Sequence, residues 1–425
     1  MTRFLYALAW WAATPLVVAR LAWRARRQRG YLLRLGERFG RYANAPAAPR
    51  IWIHAVSVGE TRAAVPLIEA LRERHPRHRI LITHMTPTGR ATSEELFGDS
   101  VERAWLPYDL GFAVRRFLAH FRPEIGIILE TEIWPRLLEE AARARVPVVL
   151  ANGRLSERSA RRYAKVPALT RWAFRNLAGL AAQTEGDAAR FAAIGAPHPV
   201  VLGNVKFDLD VPAAMIERGR EFRERFGARR KVWVAGSTRE GEEALLLDAF
   251  AAMAAAPEVL LVIVPRHPQR FDDAAALAES RGFVVARRSA QGAIPEGVRV
   301  VIGDSMGEML AYYAAADAVV IGGSLLPFGG QNLIEASALG RPVIVGPHTY
   351  NFEEAAKGAI KAGAAVRVRD AKEALAAAAA ITADEARCRE MGKKARAFVQ
   401  SHRGAVDRLV AWIEATTGLA RESAR

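Results

Sequence analysis

The sequence predicts an α/β protein built from two parallel, doubly wound sheets in tandem. Short apolar runs rich in valine and isoleucine alternate with helical stretches of roughly ten to fifteen residues, a pattern typical of parallel βαβ crossovers. The alternation occurs twice, before and after a charged stretch at 204–228, and 425 residues are enough for two domains. The 51% hydrophobic and 25% charged residues fit a folded globular protein.

The apolar runs define the expected strands and the domain boundaries. In the first half we predict strands at Arg50–Val56, Ile80–Thr83, Val101–Leu106, Ile125–Leu129, Val146–Ala151 and Gly179–Ala182. In the second half we predict them at Lys231–Ala235, Val259–Val264, Phe283–Ala286, Val298–Ile302, Ala318–Ile321 and Pro342–Val345. We expect an N-terminal domain at 31–204, a linker at 205–228 and a C-terminal domain at 229–425, whose last helix can pack back on the N-terminal domain.

The N-terminus resembles a membrane anchor. Phe4–Ala19 holds no charged residue, and arginines follow at once at Arg20, Arg24, Arg26, Arg27 and Arg29. The uncharged run is slightly shorter than the roughly 20 residues that span a bilayer, although Arg20 can snorkel and extend it. We expect residues 1–30 to form an anchor with a basic flank, either spanning or lying on the membrane; the alternative is an amphipathic or buried helix. The positive-inside rule then places the remaining chain in the cytoplasm.

The charge balance indicates a polyanionic partner. The chain has 61 Lys+Arg against 45 Asp+Glu, which gives a net charge of +16. Such an excess suits nucleic acid, anionic lipid or a phosphorylated substrate, and the aromatic spacing does not favour nucleic acid. The single cysteine, Cys388, excludes a disulfide framework and any multi-cysteine metal site.

A glycine-rich loop in the second half predicts a nucleotide site. Glycine pairs at 322–323 and 329–330 follow a buried strand, and a helix is expected to open near Gln331 or Asn332. A phosphate bound at that helix start, with the ribose hydroxyls hydrogen-bonded to the Glu335 carboxylate, would form a nucleotide-binding site. The alternative is an ordinary βα turn with Glu335 on a solvated helix face. The loop matches neither a P-loop nor a GxGxxG fingerprint. Two doubly wound domains facing a cleft, with a nucleotide loop in the second, describe the GT-B architecture of glycosyltransferases.

Carboxylates at strand ends are the candidates for acid–base chemistry in the first half. Glu60 lies between a strand and a helix, and the helix start is expected to keep it ionised and able to remove a proton from an attacking hydroxyl. The alternative is an ordinary first-turn glutamate that satisfies the helix start. Glu130 and Glu132 follow another strand, and paired carboxylates at such a position indicate acid–base chemistry. A metal site would need a third ligand, and the sequence shows none at a matching position.

Basic residues and short loops are the candidates for phosphate binding. Arg266 follows the strand Val259–Val264 and can neutralise a departing phosphate, and Lys206 can add a second positive charge over the cleft. The strand-end loops at 236–238 and 303–308 can donate backbone N–H groups.

Taken together, these segments resemble the 3-deoxy-D-manno-octulosonic acid (Kdo) transferases of lipopolysaccharide synthesis. The matching stretches are HAVSVGET (54–61), MTPTG (85–89), LPYD (106–109), ETEIWP (130–135), ANGRLSERS (151–159), KFD (206–208), VPRHP (264–268) and the block at 322–352. Each stretch alone is weak evidence for the family. Together and in this order, the stretches are specific for it, and they extend over nearly the whole chain. Arg136 departs from the pattern, which more often has asparagine after Trp-Pro.

The resemblance implies a GT-B enzyme that transfers Kdo from CMP-Kdo to the lipid A precursor (lipid IVA), with inversion and without a metal or other cofactor. In the family pattern, Glu60 is the general base, and Glu130 and Lys206 stabilise the transition state. CMP would be held by Arg266, His267, Met306, Gly307, Glu308, Asn332, Leu333, Ile334 and Glu335. The implied partners are CMP-Kdo, a phosphorylated lipid acceptor and an anionic membrane, with the enzyme on the cytoplasmic side of the inner membrane. The alternatives are a GT-B transferase or epimerase that uses a UDP-sugar, and a non-catalytic nucleic-acid-binding protein.

Overall fold

The computed structural model describes residues 2–26, 28–43, 48–253, 258–290 and 292–420. The chain forms two compact units: unit 1 comprises Met1–Asp208 and Gly404–Arg425, and unit 2 comprises Leu209–Arg403. The boundary after Asp208 falls inside the stretch 205–228, for which a linker is predicted. Arg27 of the predicted basic flank, and residues 44–47 of a proline- and alanine-rich connection, lie outside the described residues.

Unit 1 contains a parallel seven-stranded sheet in the order β3-β2-β1-β4-β5-β6-β7. Its strands are β1 (Arg50–His54), β2 (Arg79–His84), β3 (Glu102–Trp105), β4 (Pro123–Leu129), β5 (Val148–Gly153), β6 (Gly179–Ala182) and β7 (Val200–Val201). The central strands β1 and β4 are almost entirely buried, as expected for a sheet covered by helices on both faces. The chain order reverses between these two strands.

Unit 2 contains a second parallel seven-stranded sheet in the order β10-β11-β9-β8-β12-β13-β14. Its strands are β8 (Lys231–Thr238), β9 (Val259–Pro265), β10 (Val285–Arg287), β11 (Val300–Ile302), β12 (Ala318–Ile321), β13 (Val343–Val345) and β14 (Ala365–Arg367). Here the order reverses between β8 and β12. The twelve predicted strands therefore all exist, and each sheet gains one short edge strand, β7 and β14, that was not predicted.

Helices connect the strands and cover both sheets. They are α1 (Thr2–Ala25), α2 (Val58–Ala63), α3 (Val65–Arg74), α4 (Pro87–Phe97), α5 (Gly111–Phe121), α6 (Pro135–Arg143), α7 (Glu157–Tyr163), α8 (Pro167–Phe174), α9 (Glu185–Ala193), α10 (Ala213–Phe226), α11 (Glu242–Ala252), α12 (Phe271–Ser280), α13 (Met309–Ala315), α14 (Ile334–Ala338), α15 (Glu353–Lys361), α16 (Ala371–Ala383), α17 (Glu385–His402) and α18 (Ala405–Thr417). Within the predicted linker, Val205–Asp208 forms a 3-10 turn, and α10 packs on α13 of unit 2.

The N-terminal helix α1 is long and apolar enough, by length and composition alone, to cross a membrane. The segment Arg3–Ala25 has a mean hydropathy of 1.4. Six of its large apolar side chains are exposed: Phe4, Leu5, Leu8, Trp11, Leu16 and Trp23. An exposed apolar set of this size is uncommon on a soluble surface.

Candidate functional site

In unit 1, the reversal of strand order brings two carboxylate-bearing segments together. Ligands of doubly wound sheets bind beyond the carboxyl ends of the strands at such a reversal. Glu60 lies in the first turn of α2, shortly after β1, and the loop after β4 carries Glu130 and Glu132. Because β1 and β4 are paired in parallel, the segments that follow them emerge at the same edge of the sheet. Two residues predicted from separate motifs are therefore neighbours in the fold.

The Glu60 carboxyl group takes part in capping helix α2 and has an unusual pKa. Ser57 caps α2 by accepting a hydrogen bond from the Glu60 N–H, while the Glu60 carboxylate accepts bonds from the Val56 N–H (2.7 Å) and the Ser57 hydroxyl (3.1 Å). This reciprocal arrangement is close to a capping box. Burial, together with the nearby negative charge of Glu130, raises the pKa of Glu60 from 4.5 to about 7.

The expectation that the helix start keeps Glu60 fully ionised is therefore wrong. The two hydrogen bonds do lower the pKa of Glu60, but burial and the charge of Glu130 outweigh them. A carboxyl group that titrates near neutral pH is a better general base than an ordinary glutamate, because it binds a proton more strongly while half of it remains ionised. The capping role and a role as base are thus compatible.

Glu130 and Lys206 form an ion pair at the same edge. The Lys206 Nζ lies 2.7 Å from Glu130 Oε1, and both side chains are mostly buried. Burial alone would raise the pKa of Glu130, but the charge and hydrogen bond of Lys206 hold it below its ordinary value. Glu130 also has a left-handed backbone with φ of 59°. Such backbone conformations are costly for a non-glycine residue and cluster at functional sites.

Amide side chains hold the turn that carries Lys206. Asn152 Oδ1 accepts a hydrogen bond from the Val205 N–H at 3.2 Å, and Asn204 Oδ1 accepts one from the Lys206 N–H at 3.0 Å. Gln183 in turn donates to the Asn152 carbonyl. Asn152 lies inside the ANGRLSERS motif, where its own left-handed backbone (φ of 52°) was not foreseen from the sequence. These contacts fix the lysine against Glu130.

Glu132 is a third carboxylate at this edge. Its Oε2 accepts a hydrogen bond from Trp134 Nε1 at 3.1 Å. Burial raises the pKa of Glu132, and Glu130 raises it further. Within the described residues, no group of three His, Cys, Asp or Glu side chains is arranged to hold a metal ion.

In unit 2, the reversal between β8 and β12 brings the glycine-rich loop against the loop after β8. Gly322 contacts the Ser237 backbone so closely that a Cβ atom would collide with it. The carboxylate of Glu242, at the start of α11, accepts hydrogen bonds from the N–H groups of Arg239 (2.8 Å), Gly323 (2.6 Å) and Leu325 (2.9 Å). These loop amides are thus already occupied by a protein carboxylate, contrary to the simplest phosphate-loop hypothesis.

The predicted ribose site has a shorter helix than expected. Helix α14 begins at Ile334, two or three residues later than predicted, and spans only five residues. Leu333 and Ile334 are buried, so only their backbone groups can face a ligand. Asn332 bridges the turn: its Oδ1 accepts from the Ile334 N–H, and its Nδ2 donates to Glu335 Oε1 at 3.0 Å. This contact orients the Glu335 carboxylate.

The remaining predicted CMP contacts follow β9 and β11. Arg266 is half-buried, and His267 lies largely at the surface. The neighbouring protein atoms still remove part of the solvent around the His267 ring, and this partial burial, with the positive charges of Arg239 and Arg266, lowers its pKa. Met306 is exposed, and Gly307 has a φ of 79° with open space where a side chain would be. Glu308 is paired with Arg218 and Arg288, at 2.5 and 2.8 Å. Its carboxylate is therefore engaged by protein, and the loop offers backbone groups instead.

Replacing Glu242 by glutamine should destabilise unit 2. The carboxamide NH2 would face backbone N–H groups that need an acceptor, so we expect a loss of about 2 kcal/mol or more in the free energy of unfolding. Urea denaturation of Glu242→Gln would measure it, with the exposed neighbour Glu240→Gln as the matched control. Equal midpoints for the two variants would show that the contact is dispensable.

Comparison with known proteins identifies both halves of the chain. Residues 33–209 match the family model described as 3-deoxy-D-manno-octulosonic-acid transferase (kdotransferase), and residues 239–398 match that of glycosyl transferases group 1. The 3-deoxy-D-manno-octulosonic acid transferase of Bordetella pertussis is 45% identical, covering 97% of this chain and 99% of the relative. That of Haemophilus influenzae is 36% identical, covering 96% and 97% respectively.

Solved structures agree on the fold. Anabaena HepE in complex with UDP superposes with a TM-score of 0.60 at 16% identity, covering 87% of this chain and 100% of that one. The UDP-GlcNAc 2-epimerase from Neisseria meningitidis superposes with a TM-score of 0.60 at 15% identity, covering 85% of this chain and 100% of that one. At these identities the likeness shows the fold alone, which is of the GT-B type. From the matches over nearly its full length, the chain belongs to the 3-deoxy-D-manno-octulosonic acid transferase family of glycosyltransferases.

Proposed function

We propose that the protein transfers Kdo from CMP-Kdo to a hydroxyl of the lipid A precursor, with inversion at the anomeric carbon and without a metal. The observation that carries this proposal is the arrangement of Glu60 beside the Glu130–Lys206 pair. A carboxyl group with a pKa of about 7 stands next to a buried ion pair, at the edge of the sheet where ligands of such folds bind.

Glu60 acts as the general base in the proposed reaction. Its carboxylate takes the proton of the acceptor hydroxyl while the hydroxyl oxygen attacks the anomeric carbon of Kdo. The bond between that carbon and the phosphate oxygen breaks, and CMP leaves with the electron pair. Attack on the face opposite the leaving group inverts the configuration. Because CMP is already a good leaving group, one base and positive charge near the phosphate are sufficient.

Lys206 and Glu130 serve the transition state in this proposal. The lysine supplies a fixed positive charge, which is effective because the pair is mostly buried and needs little reorganisation. Glu130 holds the lysine in place. No metal is needed for this electrostatic role.

The donor nucleotide is assigned to unit 2. Arg266, which follows β9, is proposed to neutralise the phosphate, and the backbone at 306–308 and 332–334 to donate N–H groups. Glu335, oriented by Asn332, is proposed to accept hydrogen bonds from the ribose hydroxyls. His267 is proposed to contact the phosphate in its neutral form, because partial burial and the surrounding arginines lower its pKa.

We propose the acceptor and the cellular location from the net charge of the chain and from the exposed apolar side chains of α1. A phosphorylated lipid suits a chain of net charge +16, and the exposed apolar side chains of α1 suit attachment to an anionic membrane. The two units are proposed to lie on the cytoplasmic side of the inner membrane, where an anionic leaflet attracts the arginines that follow the apolar run of α1.

Nucleotide competition separates this proposal from a UDP-sugar enzyme of the same fold. We expect CMP to bind the purified protein at least about tenfold more tightly than UDP, and Arg266→Ala to weaken CMP binding by a similar factor, since a charged hydrogen bond is lost. Isothermal titration would measure both, with Arg281→Ala, which lies at a surface ion pair, as the control. Tighter binding of UDP would refute the assignment of the donor.

Product analysis tests the reaction itself. The full-length protein in detergent, given CMP-Kdo and a lipid A precursor, should yield a lipid whose mass has increased by one or more Kdo units. An NMR spectrum of the product would show the anomeric configuration. Absence of any Kdo-bearing lipid, under conditions in which a known relative is active, would contradict the proposal.

A further inference from the structure

Helix α1 has one face that contacts unit 1. The contacting side chains recur at helical spacing: Arg3, Tyr6, Trp10, Val17 and Leu21. Arg3 forms an ion pair with Glu139 at 2.8 Å, and Leu21 is buried against Tyr31. The contacts therefore run along the whole length of the helix. A helix held in this way along its length lies across the surface of its unit, and it would have to detach in order to cross a bilayer.

The opposite face of α1 is apolar and exposed. Phe4, Leu5, Leu8 and Leu16 are between 53% and 73% exposed, and Trp23 is 55% exposed. Trp11 is 59% exposed but lies at the boundary between the two faces, because its ring also stacks on that of Phe112 at 5.7 Å. Leucine and phenylalanine with tryptophan on one side, and arginines such as Arg20 and Arg24 close by, are typical of helices that lie in the membrane interface. The basic flank complements anionic lipid headgroups, so the occupant that this face fits is one leaflet of an anionic bilayer.

The docked face reaches the loop that carries the carboxylates. The Trp10 ring lies 6.3 Å from the Trp134 ring, centre to centre, and 6.0 Å from that of Tyr108. Trp134 donates its indole N–H to Glu132. A side chain of the N-terminal helix thus packs on a side chain that holds a carboxylate of the candidate active site.

The second connection passes through Asp109 of the LPYD motif. The Tyr6 hydroxyl donates to Asp109 Oδ2 at 2.7 Å. The same carboxylate accepts the backbone N–H groups of Arg136 (2.9 Å) and Leu137 (2.7 Å), and so caps the start of α6 directly after the Glu130–Trp134 loop. The Tyr6 ring also packs edge-on against Trp172 at 5.6 Å. This gives the LPYD motif a physical role that the reaction scheme leaves unassigned.

We propose that α1 is a positioning element of the active site as well as a membrane attachment: its docked face fixes the Glu130–Pro135 loop through Tyr6 and Trp10, and its opposite face lies in one leaflet of the bilayer. The second half of this statement rests on the membrane attachment proposed above. The first half depends only on contacts within unit 1, so the two halves can fail separately.

Trp10→Leu on the docked face and Leu16→Ala on the exposed face test the two faces separately. Hydrogen exchange of the 130–138 backbone in the full-length protein reports the loop, and sedimentation with phosphatidylethanolamine–phosphatidylglycerol vesicles reports lipid binding. Trp10→Leu and Tyr6→Phe should each speed exchange at the loop about fivefold or more, since one contact of modest strength is lost. Leu16→Ala, at a side chain that is 73% exposed, should leave that exchange unchanged and lower vesicle binding severalfold.

Kinetics with CMP-Kdo and a micellar lipid A precursor give an independent readout. Tyr6→Phe, which keeps the ring and removes only the hydroxyl, should lower kcat about fivefold without changing KM for CMP-Kdo. A change in KM for CMP-Kdo at constant kcat would contradict the proposal that α1 positions the Glu130–Pro135 loop. So would loop exchange at the wild-type rate in both Tyr6→Phe and Trp10→Leu, or an equal effect of Leu16→Ala on that exchange. If no Kdo transfer is seen at all, the exchange result still decides the inference, and only the proposed reaction fails.

Spin labels decide the orientation in lipid. Cysteines at Leu5, Leu16 and Trp23, introduced one at a time with Cys388→Ser, should report similar shallow depths in bound vesicles, because the three residues share the exposed face. A spanning helix would instead place Leu16 on the order of 10 Å deeper than the other two, near the centre of the roughly 30 Å hydrocarbon layer. That result would overturn the in-plane assignment.

Discussion

Replacing Glu60 by glutamine is expected to lower the turnover of Kdo transfer by about a thousandfold, within the 10²–10⁴ range typical of general acid–base groups. Glutamine keeps the shape of the side chain and can still accept from the Val56 N–H, so the start of α2 should remain intact. Initial rates with CMP-Kdo and a lipid A precursor would measure the effect. The exposed glutamate of the next helix offers the control, Glu69→Gln, which should be fully active.

The pH dependence gives the same assignment an independent check. Only the ionised carboxylate can take a proton, so kcat/KM of the wild type should fall as the pH drops through about 7, the pKa of Glu60. In Glu130→Gln the repulsion from Glu130 is absent, and this acid limb should move to lower pH, whatever happens to the maximal rate. A Glu60→Gln variant that retains more than about a tenth of wild-type turnover would exclude Glu60 as the base.

Replacing Lys206 by methionine should lower turnover by about 10²–10³, the usual loss when a preorganised charge is removed from a transition state. It should also leave Glu130 as a mostly buried carboxylate without its lysine, so the pKa of Glu130 should rise, since burial then dominates. Initial rates and the urea midpoint would be measured together.

The control for Lys206 is Lys357→Met. Lys357 also forms an ion pair, with Glu353 at 3.0 Å, but it is 60% exposed and solvent screens the pair. We expect that variant to match the wild type in both rate and stability. A Lys206→Met protein that turns over normally would show that the buried pair is only structural.

The fold was largely predictable because buried parallel strands read as continuous apolar runs. Val259–Val264 and Ile125–Leu129 are such runs, and both are central strands. The two strands that were missed, β7 and β14, have two and three residues and lie at the edge of a sheet. An edge strand pairs on one side only and needs no apolar run, so its sequence carries little signal.

The candidate site was only partly predictable, for a different reason. Motif positions identified Glu60, Glu130 and Lys206, and pairing of β1 with β4 together with the 2.7 Å ion pair places them at one edge of the sheet. The environment of each group was not predictable. The pKa of Glu60 depends on burial and on Glu130, which is distant in sequence. Likewise, nothing local to Glu242 indicates that it occupies the amides of Gly323 and Leu325, about eighty residues away.

Helix α18 has a consequence for how the chain is made. Its apolar residues Val406, Leu409, Val410 and Ile413 share one core with Ile51 and other strand residues of unit 1, and Asp208 caps its first turn. Vectorial synthesis therefore releases the first 208 residues from the ribosome with part of their sheet uncovered. Unit 2 has all of its residues by Arg403, whereas unit 1, which carries Glu60, can close its core only after residues 404–417 have been added, so the unit that begins first is expected to finish folding last.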